Sequence, residues 1–245
     1  MHSADPRITA MPPAARAAFE AAGTVIVEST EALDRDAMAA ATVALKQHTF
    51  LIDGTTLEAM VAADDIGPLR AALEARGMPW TLARHMQPWM IAAAISIPVC
   101  EVAAKSAGRP VLDSLIATRA AQAGKRLVGL ETIEEQFLAV ASIPREFHVN
   151  ALAETLRLGT LTDAMMETAK RLYLEGNTAL LIPLIRAYAA ATYGGKGYAE
   201  FQERLIAGRN RTMAARAARH IEEGGAFMAV GALHLPGENG LVALL

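Results

Sequence analysis

Short β-branched runs separated by long helical stretches set the pattern of this chain. Pro12-Pro13 followed by Ala14 to Ala22 predicts a helix with proline in its first turn and Gly23 just past its end. Thr24-Val25-Ile26-Val27-Glu28 is a β-branched run entered from a glycine, which predicts a buried strand ending on a carboxylate. A helix is expected over Glu31 to Gln47. Thr55, with Glu58 three residues on, matches a capping box that opens a short helix. Gly67 to Arg76 reads as helix, stopped by Gly77 and Pro79. Trp80 to His85 and Pro88 to Ile95 read as two apolar helical pieces, and Leu112 to Ala123 as a helix that stops at Gly124. Lys125 to Leu130 predicts a second strand, again ending on a carboxylate, Glu131. From Thr132 to Glu222 the pattern is helical, with breaks near Pro144, Gly159, Gly176 and Gly194 to Gly197. The last strand, Ala226 to Val230, runs into Gly231-Ala232-Leu233-His234.

Few short strands of parallel type divided by helices predict an α/β fold: one short-stranded central sheet with long helical insertions. The expected organisation is a single domain over residues 1–245, with a helical insertion subdomain at about 132–222. No repeat of solenoid period is present. Gly194-Gly195-Lys196-Gly197 follows no strand and is therefore read as a turn, not a phosphate loop. The chain has no G-x-S-x-G elbow, no H-E-x-x-H and no P-loop.

Composition narrows the function classes. Hydrophobic residues make up 53% and charged residues 20%, which is a folded composition. The net charge is −3 and no basic stripe stands out, so nucleic acid is set aside as a partner. The longest apolar run, Met90 to Cys100, is shorter than the roughly 20 residues of a spanning helix and is interrupted by Pro98, so no transmembrane segment is expected. The single cysteine, Cys100, lies in that run and reads as a buried small hydrophobe rather than a nucleophile.

Three polar groups fall at the C-terminal ends of the expected strands: Glu28, Glu131 and, after a tight turn, His234. In α/β sheets ligand sites collect at that edge. Two carboxylates and an imidazole can hold a divalent metal or run acid–base chemistry on water. The plainer readings are a solvated strand end for Glu28, a charge for the next helix's N-terminus for Glu131, and a turn histidine for His234. Arg209-Asn210-Arg211 opens the helix Thr212 to Glu222. It reads either as an anion or carboxylate partner or as a basic surface turn. Asn210-Arg211-Thr212 is also a glycosylation sequon. His48, His85, His148 and His220 have no metal-spaced partner and read as surface or packed residues. Trp89 reads as a core residue.

The C-terminal segment carries a resemblance. Gly208-Arg209-Asn210-Arg211, then a helix, then Phe227 through Gly231-Ala232-Leu233-His234 to Leu241 resembles the signature of the TraB/GumN (Tiki-like) family, in its bacterial GumN-type branch. That family is marked by a pair of G-x-x-H motifs, one near each end of the domain. The second is intact as Gly231 to His234. Lys125 to Gln136, Leu112-Asp113 and Pro88-Trp89 match further blocks. The first motif is incomplete: Met1-His2-Ser3-Ala4-Asp5-Pro6 resembles it entered at its third residue, with His2 as the motif histidine and no strand before it. The family also continues past the position of Leu245. Truncation at both ends is therefore expected, leaving an unpaired edge or an open slot in the sheet.

The resemblance implies a metal-dependent, peptidase-like hydrolase acting on a peptide or other small substrate, with manganese, cobalt or zinc as the divalent ion. It implies metal or catalytic roles for His2, Glu28, Glu131 and His234, and roles as substrate or carboxylate partners for Arg209 and Asn210. The alternatives are a non-catalytic peptide-binding or regulatory protein of the same fold, or an inactive fragment. The compartment follows the start: cytoplasmic as the chain stands, cell envelope or periplasm if a signal peptide precedes Met1.

Overall fold

A computed structural model describes residues 3–159, 161–193 and 197–245, with side chains left aside at 188–193. His2 and the stretch Gly194 to Lys196 lie outside the described residues. The strands are β1 (Thr24–Val27), β2 (Arg126–Gly129) and β3 (Ala226–Ala229). They form a parallel three-stranded sheet in the order β2-β1-β3. Val27 lies opposite both Gly129 and Ala229, so all three strands end at one level. Among the described residues the sheet has no open central slot; its unpaired positions are the outer edges of β2 and β3. This is the expected α/β architecture.

The helices that frame the sheet are α1 (Pro13–Ala21), α2 (Pro88–Ile95), α3 (Val99–Ser106), α4 (Leu112–Gln122), α5 (Ile133–Ala141), α6 (Arg145–Leu158), α7 (Leu161–Leu174) and α8 (Gly208–Glu222). Side chains alternate across a strand, and β1 uses both faces. Val25 and Val27 pack with Phe19 of α1 and with Ile116 and Ala120 of α4. Ile26 packs on the other face with Met213, Ala214 and Ala217 of α8. A β-branched run with no polar position is what a strand covered on both sides requires. A separate core joins Leu57, Leu69, Leu73, Ile91, Ile95 and Leu152, where α6 lies along α2. No single helix among the described residues is long and apolar enough to cross a membrane.

Several local expectations change. The helix expected over Glu31 to Gln47 is split into a 3-10 turn, Glu31–Leu33, and helices Arg35–Ala44 and Lys46–Thr49. Asp34 causes the first break: its carboxylate accepts from the Asp36 and Ala37 N–H groups and starts a new helix. The Thr55–Glu58 capping box does not form. The Thr55 hydroxyl donates to Asp53 instead, and a 3-10 turn spans Leu57–Ala59. A true capping box opens α5, between Thr132 and Glu135.

Cys100 is exposed, not buried. Pro98 caps α3 and resets its phase, so that the helix turns Glu101 and Ala104 inward. Glu101 is satisfied there by the Ser3 hydroxyl (2.6 Å), the Ala4 N–H (2.8 Å) and the Lys170 ammonium of α7 (2.6 Å). Burial pushes the Glu101 carboxyl up, but Lys170, Ser3 and the Ala4 N–H outweigh it and hold the carboxyl below its ordinary value. This buried pair ties the beginning of the described chain to the helical layer. Trp89 is half-buried: its indole N–H donates to the His48 carbonyl and its ring meets Phe137 edge-on.

Candidate functional site

The common end of the three strands gathers Glu28, Glu131, Arg209, Asn210, Gly231 and His234. Glu28 follows β1 directly, Glu131 comes two residues after β2, and Gly231 two residues after β3. The fourth element is α8, which begins at Gly208 as the continuation of a π-helical turn, Glu203–Ala207. Arg209 and Asn210 are therefore in the first turn of a helix rather than in a surface turn. Asn210 is fully buried. Its side chain is committed to internal bonds, so the sequon is closed to glycosylation in the folded protein.

Arg209 lies between the two carboxylates. Its Nε donates to Glu131 Oε1 at 2.9 Å, and its Nη2 to Glu131 Oε2 at 2.6 Å and Glu28 Oε2 at 2.9 Å. Glu28 Oε1 accepts from the Gly231 N–H at 2.6 Å. Gln136 adds a longer bond to Glu131 Oε2 at 3.4 Å. All four carboxylate oxygens thus have a donor. The remaining guanidinium nitrogen, Nη1, makes one long bond to the Leu205 carbonyl at 3.4 Å and, among the described residues, keeps a spare N–H.

Burial pushes the Glu28 carboxyl up, but His234, the Gly231 N–H and Arg209 together hold it below its ordinary value. Burial lowers the His234 imidazole; Glu28 opposes that and Arg209 adds to it, and the net direction is down. At neutral pH Glu28 is therefore a carboxylate and the His234 imidazole neutral.

The tautomer of His234 follows from its neighbour. Asn210 Nδ2 donates to two carbonyls, His234 O at 3.2 Å and Asn239 O at 2.6 Å. Two carbonyls fix which end of the amide is nitrogen. Asn210 Oδ1 therefore faces His234 Nδ1, 2.6 Å away, and Nδ1 must carry the proton. Among the described residues Nε2 has no hydrogen-bond partner, and its lone pair stands 3.9 Å from Glu28 Oε2.

The glycine of Gly231-x-x-His234 has a steric reason. A Cβ at Gly231 would stand 2.9 Å from Glu28 Oε1 and 3.6 Å from the His234 ring. Gly231→Ala is expected to displace the Glu28 carboxylate and cost about 1–3 kcal/mol of stability. Thermal denaturation checks this, and an unchanged midpoint would show that the turn relaxes freely.

Five of the six candidate residues from the sequence, Glu28, Glu131, Arg209, Asn210 and His234, meet in this cluster; the sixth, His2, lies outside the described residues. Asn210 touches no carboxylate; its partners are His234 and two backbone carbonyls. The Gly231 N–H and Gln136 join the site through contacts that no residue spacing announces. With the strand-end acids, the helix arginine and the Gly-x-x-His turn all in place, the comparison that decides the family is a match of the TraB/PrgY/gumN family profile over residues 1–245. The chain belongs to the TraB/PrgY/gumN family. No curated protein and no solved structure matches it.

The fit of a metal can be tested on the donor set. Both oxygens of Glu131 are held by Arg209, which removes that carboxylate from the available ligands. His234 Nε2 and Glu28 Oε2 remain. Among the described residues no group of three or more His, Cys, Asp or Glu side chains is arranged to hold an ion. Among the described residues that leaves two of the usual three protein ligands of a catalytic metal, and His2, the further imidazole expected from the sequence, lies outside them.

Proposed function

We propose that this cleft is the active site of a hydrolase acting on peptides or other small acyl substrates. The observation that carries the reading is the neutral, tautomer-locked His234, whose unprotonated Nε2 stands 3.9 Å from a carboxylate oxygen. A water molecule can accept this geometry, since two hydrogen bonds of about 2.8 Å span such a gap. His234 Nε2 takes a proton from that water as its oxygen attacks the substrate carbonyl, and returns it to the leaving amine. Glu28 orients the water and stabilises the imidazolium as it forms. The spare N–H of Arg209 Nη1 is the donor available to the developing oxyanion.

A divalent ion such as manganese, cobalt or zinc belongs to this proposal only as a further partner of His234 Nε2 and Glu28 Oε2. The Glu28 carboxylate favours a cation, and a bound ion would acidify water. The described donors do not complete a metal site, and no step above depends on one.

The second reading is a binding or regulatory protein without turnover. It is favoured by the saturation of the carboxylates: Arg209 and Gly231 already satisfy every oxygen, as in a purely structural ion pair. One experiment separates the readings. A peptide library is incubated in ¹⁸O-labelled water with the parent and with His234→Ala, each with manganese, cobalt or zinc and with a chelator. Hydrolysis predicts ¹⁸O-labelled products from the parent and a loss of about 10²–10⁴-fold in His234→Ala. Peptide retention without labelled product supports the binder. Equal cleavage by both proteins overturns the hydrolase site.

A further inference from the structure

The outer edge of β3 borders a cavity of about 290 Å³ that shares no residue with the cluster above. Phe227, Met228, Ala229 and Val230 all line it. Side chains alternate between the two faces of a strand, so a cavity that touches four residues in a row runs along the strand's edge. That edge pairs with no strand among the described residues. The opposite edge of the sheet, on β2, opens with the exposed Arg126, a charge that discourages a further strand. β3 has no such guard: Ala226-Phe227-Met228-Ala229 is apolar and half-buried throughout. An apolar, unguarded edge is a template for another strand.

Across the cavity the walls are buried hydrophobic residues, among them Ile8, Met11 and Ile116 of α4. Two polar side chains interrupt this lining: Asp113 in the first turn of α4 and Tyr173 in the last turn of α7. Both are half-buried. Among the described residues neither side chain makes a hydrogen bond or an ion pair. They share one neighbourhood, since burial pushes the Tyr173 phenol up and Asp113 pushes it further. An acid and a phenol oxygen beside an apolar slot suit a hydrocarbon stem with a cationic end, which is the make-up of a lysine side chain. The cavity also touches Ala232 and Leu235, which stand on either side of His234 in its turn, so groove and cleft share that turn.

We propose that the outer edge of β3 seats an extended peptide as a fourth strand, with a lysine side chain of that peptide along the apolar walls and its ammonium between Asp113 and Tyr173. Backbone hydrogen bonds to β3 supply affinity, and the Asp113–Tyr173 end supplies the choice of side chain. The role of this groove, holding a substrate beside the cleft, rests on the peptide reading above; the seating itself needs no turnover.

The test uses the intact chain with ¹³C-labelled methionine methyl groups, because Met11 and Met228 both line the cavity. Acetyl-Ser-Val-Lys-Val-Ser-amide is titrated with a chelator present, into the parent and into His234→Ala. The expected result is a saturable shift of both methyl resonances in both proteins. The same peptide with norleucine in place of lysine should bind about tenfold more weakly. The lysine peptide N-methylated at its three central residues should not bind. Asp113→Asn, which keeps the size of the side chain, should bind the lysine and norleucine peptides alike. No shift of either methyl group, a lysine preference that survives in Asp113→Asn, or full affinity of the N-methylated peptide overturns the inference. Binding here without labelled product in the ¹⁸O experiment overturns the hydrolase reading alone, and cleavage by the parent without these shifts overturns the groove alone.

Discussion

Arg209→Met is expected to destabilise the protein by about 3–5 kcal/mol at neutral pH, roughly 10 °C in midpoint, and to reverse the pH dependence of its stability. The guanidinium is the shared counter-charge of two carboxylates. Glu131 is 3% exposed at its side chain, Arg209 17% and Glu28 26%. Removing the cation leaves two carboxylates facing each other out of water, which costs more than the pair contributed. In the parent, Glu28 has a lowered pKa, so its contribution is present above the ordinary value of 4.5 and is lost as pH falls through the folded value. His234, also lowered, adds a loss of stability as pH falls below its ordinary 6.5, because the unfolded chain then binds the proton more readily.

In Arg209→Met the burial of Glu28 is no longer outweighed in the same way, and its pKa rises. A raised acid pKa gives stability below the ordinary value and loses it as pH rises. The variant should therefore gain stability on mild acidification while the parent loses it. Glu131→Gln added to Arg209→Met removes one of the stranded charges and should restore part of the loss. Chemical denaturation of the three proteins between pH 4 and pH 8 reads all of this. Parent-like stability and pH dependence in Arg209→Met would mean that the guanidinium does not bridge the two acids.

The sheet was legible because burial on both faces leaves a plain mark: Thr24 to Val27 has no polar alternation, and Gly23 starts it. Pro88 to Ile95 was legible because a proline at the first helical position both permits and announces a helix. The strand-end acids were legible because parallel strands deliver their C-terminal residues to one edge. The errors have equally local causes. The helix opened by Arg209-Asn210-Arg211 was expected to run from Thr212, whereas a π-helical turn leads straight into a helix that already includes Gly208. Cys100 was misplaced because an apolar run suggests burial. On α3 the buried position is the charged Glu101, made tolerable by Ser3 and Lys170, which lie 98 and 69 residues away. The bond from Asn210 to His234 spans 24 residues and belongs to the same class: spacing shows both residues but not which atom meets which.

That bond gives the largest expected effect on turnover. Asn210→Leu removes the acceptor of the His234 Nδ1 proton and both donors to the turn carbonyls. The imidazole is then free to place its proton on Nε2, where it can no longer act as a base toward water. If the cleft is hydrolytic, kcat should fall by about 10²–10⁴-fold, with a smaller change in KM. Nitrogen chemical shifts of His234 give a readout that a merely structural role would not move. The parent should show a protonated Nδ1 and an unprotonated Nε2, and Asn210→Leu a mixture or the reverse. Asn210→Asp separates the tautomer from the anchoring of the turn. Its carboxylate still accepts from Nδ1 but donates to neither carbonyl, and its charge favours the imidazolium. The tautomer should survive, the His234 pKa should rise from its lowered value, and the acid limb of the pH–rate profile should move upward with it. An acid limb that stays in place in Asn210→Asp, or a parent-like tautomer and rate in Asn210→Leu, would show that Asn210 does not set the state of His234. The base would then have to be sought elsewhere in the cleft.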